Sequence, residues 1–225
     1  MEGNWEVILF GQIVHMNTLV MTWAGMLIIL AVAWITTRNL QVIPSKMQVV
    51  GEGFFDFCRS ITMSTAGKRG DSFLYFIGSL FLFILTANLM GQLPLRLIPI
   101  PNGELKAATG DINTTTALAI MTVVMYFLVG IKNKGFKYFL HYLQPHPLFL
   151  PLNIMEDLTR PGSLLIRLYF NILVGEILSG IALQVMPYAL PSLVIFLELF
   201  VAVVQAYIFA ILSSVYVSLL SEEHH

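Results

Sequence analysis

Three ionisable side chains lie deep within the apolar stretches of the last third of the chain. Arg167 and Glu176 stand in one hydrophobic stretch, and Glu198 stands in the next. A charged side chain at the centre of a membrane span costs at least about 2.5–3.5 kcal/mol, so it is retained mainly where it acts. Arginine stays protonated in proteins, so Arg167 cannot relay protons, but its guanidinium can face a carboxylate through two hydrogen bonds. The chemistry we expect is a fixed positive charge that meets an anionic group.

Helical geometry predicts which polar side chains share a face with Arg167. At about 100° per residue, Asn171 lies about 40° from Arg167 and one turn further along, whereas Glu176 lies about 180° away. Glu198 and Gln205 are seven residues apart and therefore share a face of the next helix. We expect Gln205 close to Arg167 and Glu198 close to Glu176. Two close carboxylates do not both ionise easily, which suits ion uptake; the alternative is that these groups are hydrogen-bond anchors between packed helices.

Four further polar residues stand where apolar helices begin. Asp111 and Asn113 precede a predicted span, and they could cap that helix as well as line the mouth of an ion pathway. Glu156 and Asp157 stand at the start of the stretch that contains Arg167. A favourable interaction with a helix N-terminus explains these two acids as well as an ion pathway does.

The sequence lacks the motifs of nucleotide-binding, hydrolytic and metal-dependent proteins. It contains no Gly-rich phosphate loop, Ser/His/Asp set or HExxH motif, and its histidines lack the spacing of metal ligands, so we expect no cofactor and no metal. Its single cysteine, Cys58, excludes an internal disulfide and a thiolate metal site. The net charge of −1 argues against a nucleic-acid partner. For Asn88 and Gln92, hydrogen bonds to neighbouring helices are favoured over a wet cavity.

The composition predicts an all-α membrane protein. Of the 225 residues, 57% are hydrophobic and 11% are charged, whereas soluble domains carry roughly 25% charge. This deficit leaves too little polar surface for a soluble globule, so we expect one polytopic membrane domain, residues 1–225, surrounded by lipid. The first residues lack the basic region of a cleavable signal, and we expect them to belong to the mature protein.

The apolar stretches predict about five spans and two interfacial segments. An N-terminal interfacial segment covers residues 1–16, with an amphipathic part over 5–14, and an interfacial helix over 47–64 lies within the loop 38–72. The predicted spans are 17–37, 73–93, 112–131, 153–185 and 192–220.

The last two stretches are too long for a perpendicular crossing. About 33 residues over 153–185 make about 50 Å of helix, against a hydrocarbon core of about 30 Å. We therefore expect a hairpin, 153–220, tilted on the order of 50° and presenting a broad face to a neighbour. Lys and Arg residues are most frequent in the loops 38–71 and 132–160, which places these loops in the cytoplasm, the N-terminus outside and the C-terminus inside.

The residues around Arg167 resemble the signature of a known family. The pattern Pro161-x-Ser163-Leu164-x-x-Arg167-Leu168-x-x-Asn171-x-x-x-Gly175-Glu176 is similar to that of subunit a of F-type ATP synthases, in its bacterial and plastid branch. The resemblance covers nearly the whole chain, more loosely before Ser72. Other stretches that are similar include Asp111-Ile112-Asn113-Thr114-Thr115, Gln205-Ala206-x-Ile208-Phe209 and Ser221-Glu222-Glu223-His224.

This resemblance implies a stator subunit beside a rotating ring of c subunits. Two offset half-channels would carry ions to and from the ring carboxylates, with Arg167 meeting each deprotonated carboxylate and blocking a direct leak. The resemblance also implies b-type peripheral stalk subunits, the rest of the ATP synthase complex, and a bacterial plasma membrane rather than a thylakoid membrane. The implied roles are support of the arginine (Asn171, Gln205), the outer half-channel (Glu176, Glu198, with Asp111 and Asn113 at its mouth) and the inner half-channel (Glu156, with Asp157 beside it).

One departure from the family concerns the ring-facing side. The family usually has Arg-Leu-Phe-Gly-Asn where this chain has Tyr169 and Phe170 in place of Phe and Gly. Phe170 is three residues from Arg167, where a small residue is usual. The choice between protons and sodium ions rests mainly on ligands in the ring, which this chain does not contain. A rival reading, an unrelated transporter that binds an anionic substrate through Arg167, predicts discontinuous helices or inverted repeats, and the sequence shows neither.

Overall fold

The computed structural model describes residues 6–9, 12–92, 107–135, 150–186 and 189–219. In this part of the chain, six α-helices follow a short two-stranded hairpin. The elements are β1 (Glu6–Leu9), β2 (Gln12–His15), α1 (Met16–Thr37), α2 (Lys46–Ala66), α3 (Leu74–Gln92), α4 (Ile112–Lys134), α5 (Leu150–Val185) and α6 (Ala189–Leu219). Five of these helices, all except α2, are long and apolar enough to cross a membrane. The predicted all-α membrane fold with five spans is therefore confirmed.

The N-terminal hairpin was not anticipated by the sequence analysis. β1 and β2 pair antiparallel, with Glu6 opposite His15 and Leu9 opposite Gln12. Both strands are rich in valine and isoleucine, which favour extended backbone. The predicted interfacial segment before the first span is therefore extended where it is described, while the helices account for the rest of the fold.

Local chemistry sets the helix ends close to their predicted positions. Ser45 caps α2, because its hydroxyl accepts a hydrogen bond from the Gln48 backbone N–H at 3.3 Å. Asp111 caps α4 in the same way. α2 and α4 each end before a glycine with φ of 57°, at Gly67 and Gly135, a conformation that glycine adopts without strain. α5 and α6 each begin three residues before the predicted start.

The core of the molecule joins α5 and α6 to α3. On α5, Leu164, Leu168 and Ile172 recur every four residues and form a buried ridge. Small residues spaced by four make the facing surface of α6, and they allow close approach of the helices. The buried members on the other helices are Cys58, Leu74, Ile77, Leu80, Phe81, Ile84, Leu118, Ala206, Phe209, Ala210 and Val217.

Two contacts fix the antiparallel register of α5 and α6. The Ser179 hydroxyl donates to Glu198 Oε1 at 3.0 Å near one end of the pair. Near the other end, the Arg160 guanidinium lies over the Tyr216 ring, with its carbon 5.7 Å from the ring centroid. Along either helix, these two contacts are separated by almost the same number of residues, so the helices run side by side without a shift.

The hairpin of α5 and α6 extends past α4. The Tyr126 hydroxyl of α4 bonds to Asp157 of α5, and Gly110, just before α4, lies beside Ile172. α4 therefore begins level with Ile172, while α5 continues to Val185, about 20 Å further along. Large apolar side chains in this outer part are exposed on several sides, among them Leu183, Met186, Leu193, Phe196 and Phe200. The hairpin thus presents a long apolar surface beyond the rest of the bundle.

Candidate functional site

Arg167 lies on the exposed face of α5. Its apolar neighbours on that face are Ile166, Phe170 and Val174, with 55%, 50% and 55% of their surface exposed. No hydrogen bond or ion pair joins Arg167 to another residue within the described ranges. A guanidinium that stands on an apolar helix face, with no counter-ion among the described residues, is suited to meet an anion brought by another molecule.

Phe170 shares this face with Arg167. Its ring makes an edge-on contact with the adjacent Tyr169, with centroids 5.6 Å apart and planes at 76°. The side chain that replaces the family's usual glycine therefore projects outward, one turn from the arginine.

Gln205 lies across from Asn171 rather than directly beside Arg167. The register of the two helices places Gln205 opposite residues 171–172 of α5. Gln205 is buried, and its amide nitrogen Nε2 finds no hydrogen-bond partner in the described part of the chain. Asn171 is half-buried and one turn from Arg167. The two predicted supporting amides are thus at the same level of the hairpin, and the buried amide N–H needs a further acceptor.

Glu198 rests on a small-residue face of α5. In addition to its bond from Ser179, its carboxylate lies against Gly175: a Cβ atom on that glycine would be 3.0 Å from Glu198 Oε1. Glu176 is half-buried and next to Gly175 in the chain. Glu198 therefore lies against the Gly175–Ser179 face of α5, at about the level of Glu176 along the helix; a contact between the two carboxylates stays a prediction. Ser179 was not predicted as its partner, although the four-residue spacing of Gly175 and Ser179 is a signal for such a face.

Asp111 has two structural roles at the start of α4. Its Oδ1 accepts from the Asn113 backbone N–H at 2.8 Å, which caps the helix, and its Oδ2 accepts from the Thr18 hydroxyl of α1 at 3.0 Å. Asn113 is exposed. The capping interpretation of Asp111 is confirmed, and the same carboxylate also ties α1 to α4.

A buried polar pair lies close to this end of the bundle. The Thr109 hydroxyl donates to Asn88 Oδ1 at 2.8 Å, and both residues are fully buried. Asn88 Nδ2 and Asn17 Oδ1 have no hydrogen-bond partner in the described part of the chain. The sequence analysis favoured a hydrogen bond for Asn88 without identifying Thr109, because the two residues belong to different elements.

Glu156 and Asp157 differ sharply in their surroundings. The Glu156 side chain is 56% exposed and pairs with Arg160. The Asp157 side chain is only 17% exposed; it accepts from the Tyr126 hydroxyl at 2.9 Å and lies 3.8 Å from Arg160 Nη1. A cavity of about 20 Å³ lies beside Asp157, Arg160 and Tyr216.

Comparison with known protein families shows to which family the chain belongs. A family profile described as ATP synthase A chain matches residues 19–218. The chain belongs to this family. The match contains all nine predicted site residues and nearly all of the five membrane-length helices.

Members of this family are subunit a of the F-type ATP synthase. The chain is therefore an integral membrane component of the ion-translocating Fo sector, and the rest of the ATP synthase complex is its partner. The predicted site residues of this family member are thus an exposed arginine, a buried and a half-buried amide about one turn further along the hairpin, and acids on either side of the arginine along the chain.

Proposed function

We propose that the chain is the stator subunit that carries protons or sodium ions to and from the carboxylates of a rotating c ring. Ions would enter from outside through one half-channel and leave to the cytoplasm through a second one, offset from the first. This flow would drive rotation and thereby ATP synthesis elsewhere in the complex.

One observation carries this proposal. Arg167 stands on an exposed apolar face and has no counter-ion within the described ranges. The missing carboxylate would belong to the ring and would face Arg167 each time a ring subunit passes. Because arginine keeps its charge, it would favour the deprotonated carboxylate and repel cations that approach along the hairpin, which prevents a direct leak.

The outer half-channel would use the acids on the outer side of Arg167. Glu198 and Glu176 lie at one level of the hairpin, about one and a half turns beyond Asn171. α4 begins near the level of Ile172, so this pair lies beyond its end, toward the predicted outside. Asp111 and Asn113, which were predicted at the mouth of the path, stand at the start of α4 near the level of Ile172, so they would line the path inside the two acids. Gln205 and Asn171 would lead from the acids to Arg167.

The inner half-channel would use the other end of α5. Glu156 is exposed and about 16 Å from Arg167 along the helix axis. With the predicted orientation, this end faces the cytoplasm, and Asp157 lies beside Glu156 in the chain. Offset paths of this kind require an ion to travel on the ring between them.

The exposed apolar surface of the hairpin supports a neighbour in the membrane. Ile166 flanks Arg167 on the inner side, and Val174 and Ile181 continue the exposed surface toward the outer end of α5. We assign this face to the c ring and other lipid-exposed surfaces to lipid and b-type peripheral stalk subunits. The membrane would be a bacterial plasma membrane, with the N-terminus outside and the C-terminus in the cytoplasm.

Replacing Arg167 in the reconstituted ATP synthase tests the proposal. In Arg167→Ala, ion-driven ATP synthesis should be abolished, because nothing then favours ion release from the ring carboxylate. Arg167→Lys keeps a positive charge but loses the bidentate geometry, so it should also be strongly impaired. The measurement is ATP synthesis driven by an imposed ion gradient in proteoliposomes.

Arg59→Ala is a matched control. Arg59 is exposed and pairs with Asp71 in the connection between α2 and α3, away from the Arg167 face. This variant should synthesise ATP at the normal rate. Normal synthesis by Arg167→Ala in assembled complexes would show that the proposed function is wrong.

A further inference from the structure

The two adjacent acids at the start of α5 occupy different faces of the helix. Glu156 precedes Arg167 by eleven residues, which is about 20° more than three full turns, so both lie on the same face. Asp157 precedes Arg167 by ten residues and lies about 80° away, toward the ridge of Leu164 and Leu168. The exposed fractions agree, since Glu156 is 56% exposed and Asp157 17%. Adjacent acids on one helix thus face different environments.

Asp157 is held by groups from two helices. The Tyr126 hydroxyl of α4 donates to its Oδ1, and the Arg160 guanidinium, one turn along α5, approaches the same oxygen. Tyr126 is itself buried. A carboxylate held by a phenol and a cation has a defined orientation, because both contacts to one oxygen must be satisfied together.

Arg160 connects this carboxylate to α6 and to Glu156. Its guanidinium lies over the Tyr216 ring, pairs with Glu156, and approaches Asp157. Seven residues separate Arg160 from Arg167, so the two arginines lie within about 20° of the same face. The contacts of Arg160 therefore fix the rotation of α5 about its axis two turns before Arg167.

The backbone makes this fixation necessary. Pro161 lies inside α5 and cannot donate a hydrogen bond to the Asp157 carbonyl, so the helix is weakest at this turn. The small cavity of about 20 Å³ beside Pro161 shows that apolar packing does not fill the site. Side-chain contacts across the proline hold the two parts of the helix in register.

We propose that Tyr126 and Asp157 are positioning residues, which hold Arg160 against α6 and thereby set the direction in which Arg167 faces the ring. Asp157 is then not a member of the ion pathway, and Glu156 alone is the acid of the inner half-channel. The inference rests on the proposed function, because it assigns separate roles to two acids of the same half-channel.

Tyr126→Phe removes one hydroxyl and tests this inference in the reconstituted complex. ATP hydrolysis and ATP-driven ion pumping are measured on the same proteoliposomes, and passive ion conduction is measured after the soluble sector is removed. Tyr126→Phe and Asp157→Asn should each lower the number of ions pumped per ATP severalfold while hydrolysis continues. The double variant should be no worse than the more affected single variant, because both changes act on the same set of contacts: one removes the Tyr126 donor and the other removes the charge that faces Arg160.

Two comparisons make the result specific. Glu156→Gln should slow passive conduction severalfold but leave pumping coupled to hydrolysis, since it removes a titratable pathway group while the amide oxygen can still accept from Arg160. Tyr75→Phe removes a hydroxyl from an exposed tyrosine of α3 and should change neither quantity. Arg160→Lys, which keeps the charge near Asp157, should retain more coupling than Arg160→Ala.

The outcomes separate this inference from the proposed function. If Asp157→Asn slows passive conduction as much as Glu156→Gln and pumping stays coupled, Asp157 belongs to the pathway and the inference is wrong. If Tyr126→Phe and Asp157→Asn both pump normally, they position nothing and the inference is equally wrong. Neither result affects the role of Arg167, whose failure would appear only as normal ATP synthesis by Arg167→Ala.

Discussion

Single residues on α5 show how one helix serves two environments. Leu164 and Leu168 are fully buried against α6 and α3, while Arg167, between them in sequence, is exposed. Helical geometry alone separates these side chains, because a shift of one position turns a side chain by about 100°. The consequence is that a charge can be presented to a neighbour without disturbing the core behind it.

At Gly175, a single added methyl group tests whether the position of the Glu198 carboxylate matters for ion uptake. A Cβ atom in Gly175→Ala would lie 3.0 Å from Glu198 Oε1 and 3.1 Å from its carboxyl carbon, so the carboxylate that accepts from Ser179 must shift from its present position. We expect ion uptake from the outer side to slow severalfold in proteoliposomes, with no loss of thermal stability, since alanine favours a helix by about 1 kcal/mol over glycine.

Gly180→Ala is the matched control for this change. A Cβ at Gly180 meets nothing within 4 Å, and both glycines lie in the same helix. This variant should keep normal uptake. Equal ion uptake by the two variants would show that the position of the Glu198 carboxylate is not important for uptake.

At the scale of elements, α2 is fastened to the end of α6. Thr65, in the last turn of α2, hydrogen-bonds through its hydroxyl to the Ser214 hydroxyl of α6. Cys58 packs against Gly78 of α3, with Cβ and Sγ 3.6 Å from the Cβ position of that glycine. The helix that is not a membrane span is therefore tied to both sides of the core, close to where α6 ends.

Neighbouring serines on α6 offer a test of this connection. Ser214→Ala removes one hydrogen-bond partner of the half-buried Thr65 and should lower the free energy of unfolding by about 1 kcal/mol. Ser213→Ala removes a buried hydroxyl that has no partner in the described part of the chain, so it should be neutral or stabilising. Thermal unfolding in detergent measures both, and a larger loss in Ser213→Ala would contradict the assignment.

At the scale of the whole molecule, the arrangement is a compact support with a projecting hairpin. α1, α3 and α4 meet near Asp111, whose carboxylate joins two of them, while α5 continues about 20 Å beyond the start of α4. In the proposed stator role, such a hairpin would follow the side of the ring, and the rest of the bundle would be the fixed part against which the ring turns.

The orientation of the protein in the membrane can be tested by cysteine labelling. Burial raises the pKa of Cys58 to about 11, so the reactive thiolate is only about one part in a thousand at pH 8. The native cysteine should therefore stay unlabelled by a membrane-impermeant maleimide. A cysteine in Ile112→Cys, at the exposed start of α4, should be labelled from outside, and one in Lys132→Cys, near its end, from the cytoplasm.

Labelling in intact and inverted vesicles distinguishes the two sides. The reverse pattern would show that the predicted orientation is wrong. Rapid labelling of Cys58 itself in the folded protein would contradict its buried position.

The sequence by itself determined the spans, the membrane class and the residues that carry the family signature. Apolar length fixed the helices to within a few residues, and the isolated charge identified Arg167, because hydrocarbon penalises charge wherever the helix lies. Spacing also placed Glu198 and Gln205 on one face of α6, which the structure shows. These properties depend on the chain's own local order.

Only the tertiary structure decided which groups meet across helices. Thr18 and Asp111 are 93 residues apart, and the bonds of Asn88 to Thr109 and of Tyr126 to Asp157 likewise join separate elements. Periodicity gives the angle between two side chains on one helix but not the rotation and sliding of one helix against another. Those are set by packing of the whole bundle, which is why Glu156 and Asp157, equivalent in the sequence, differ in the fold.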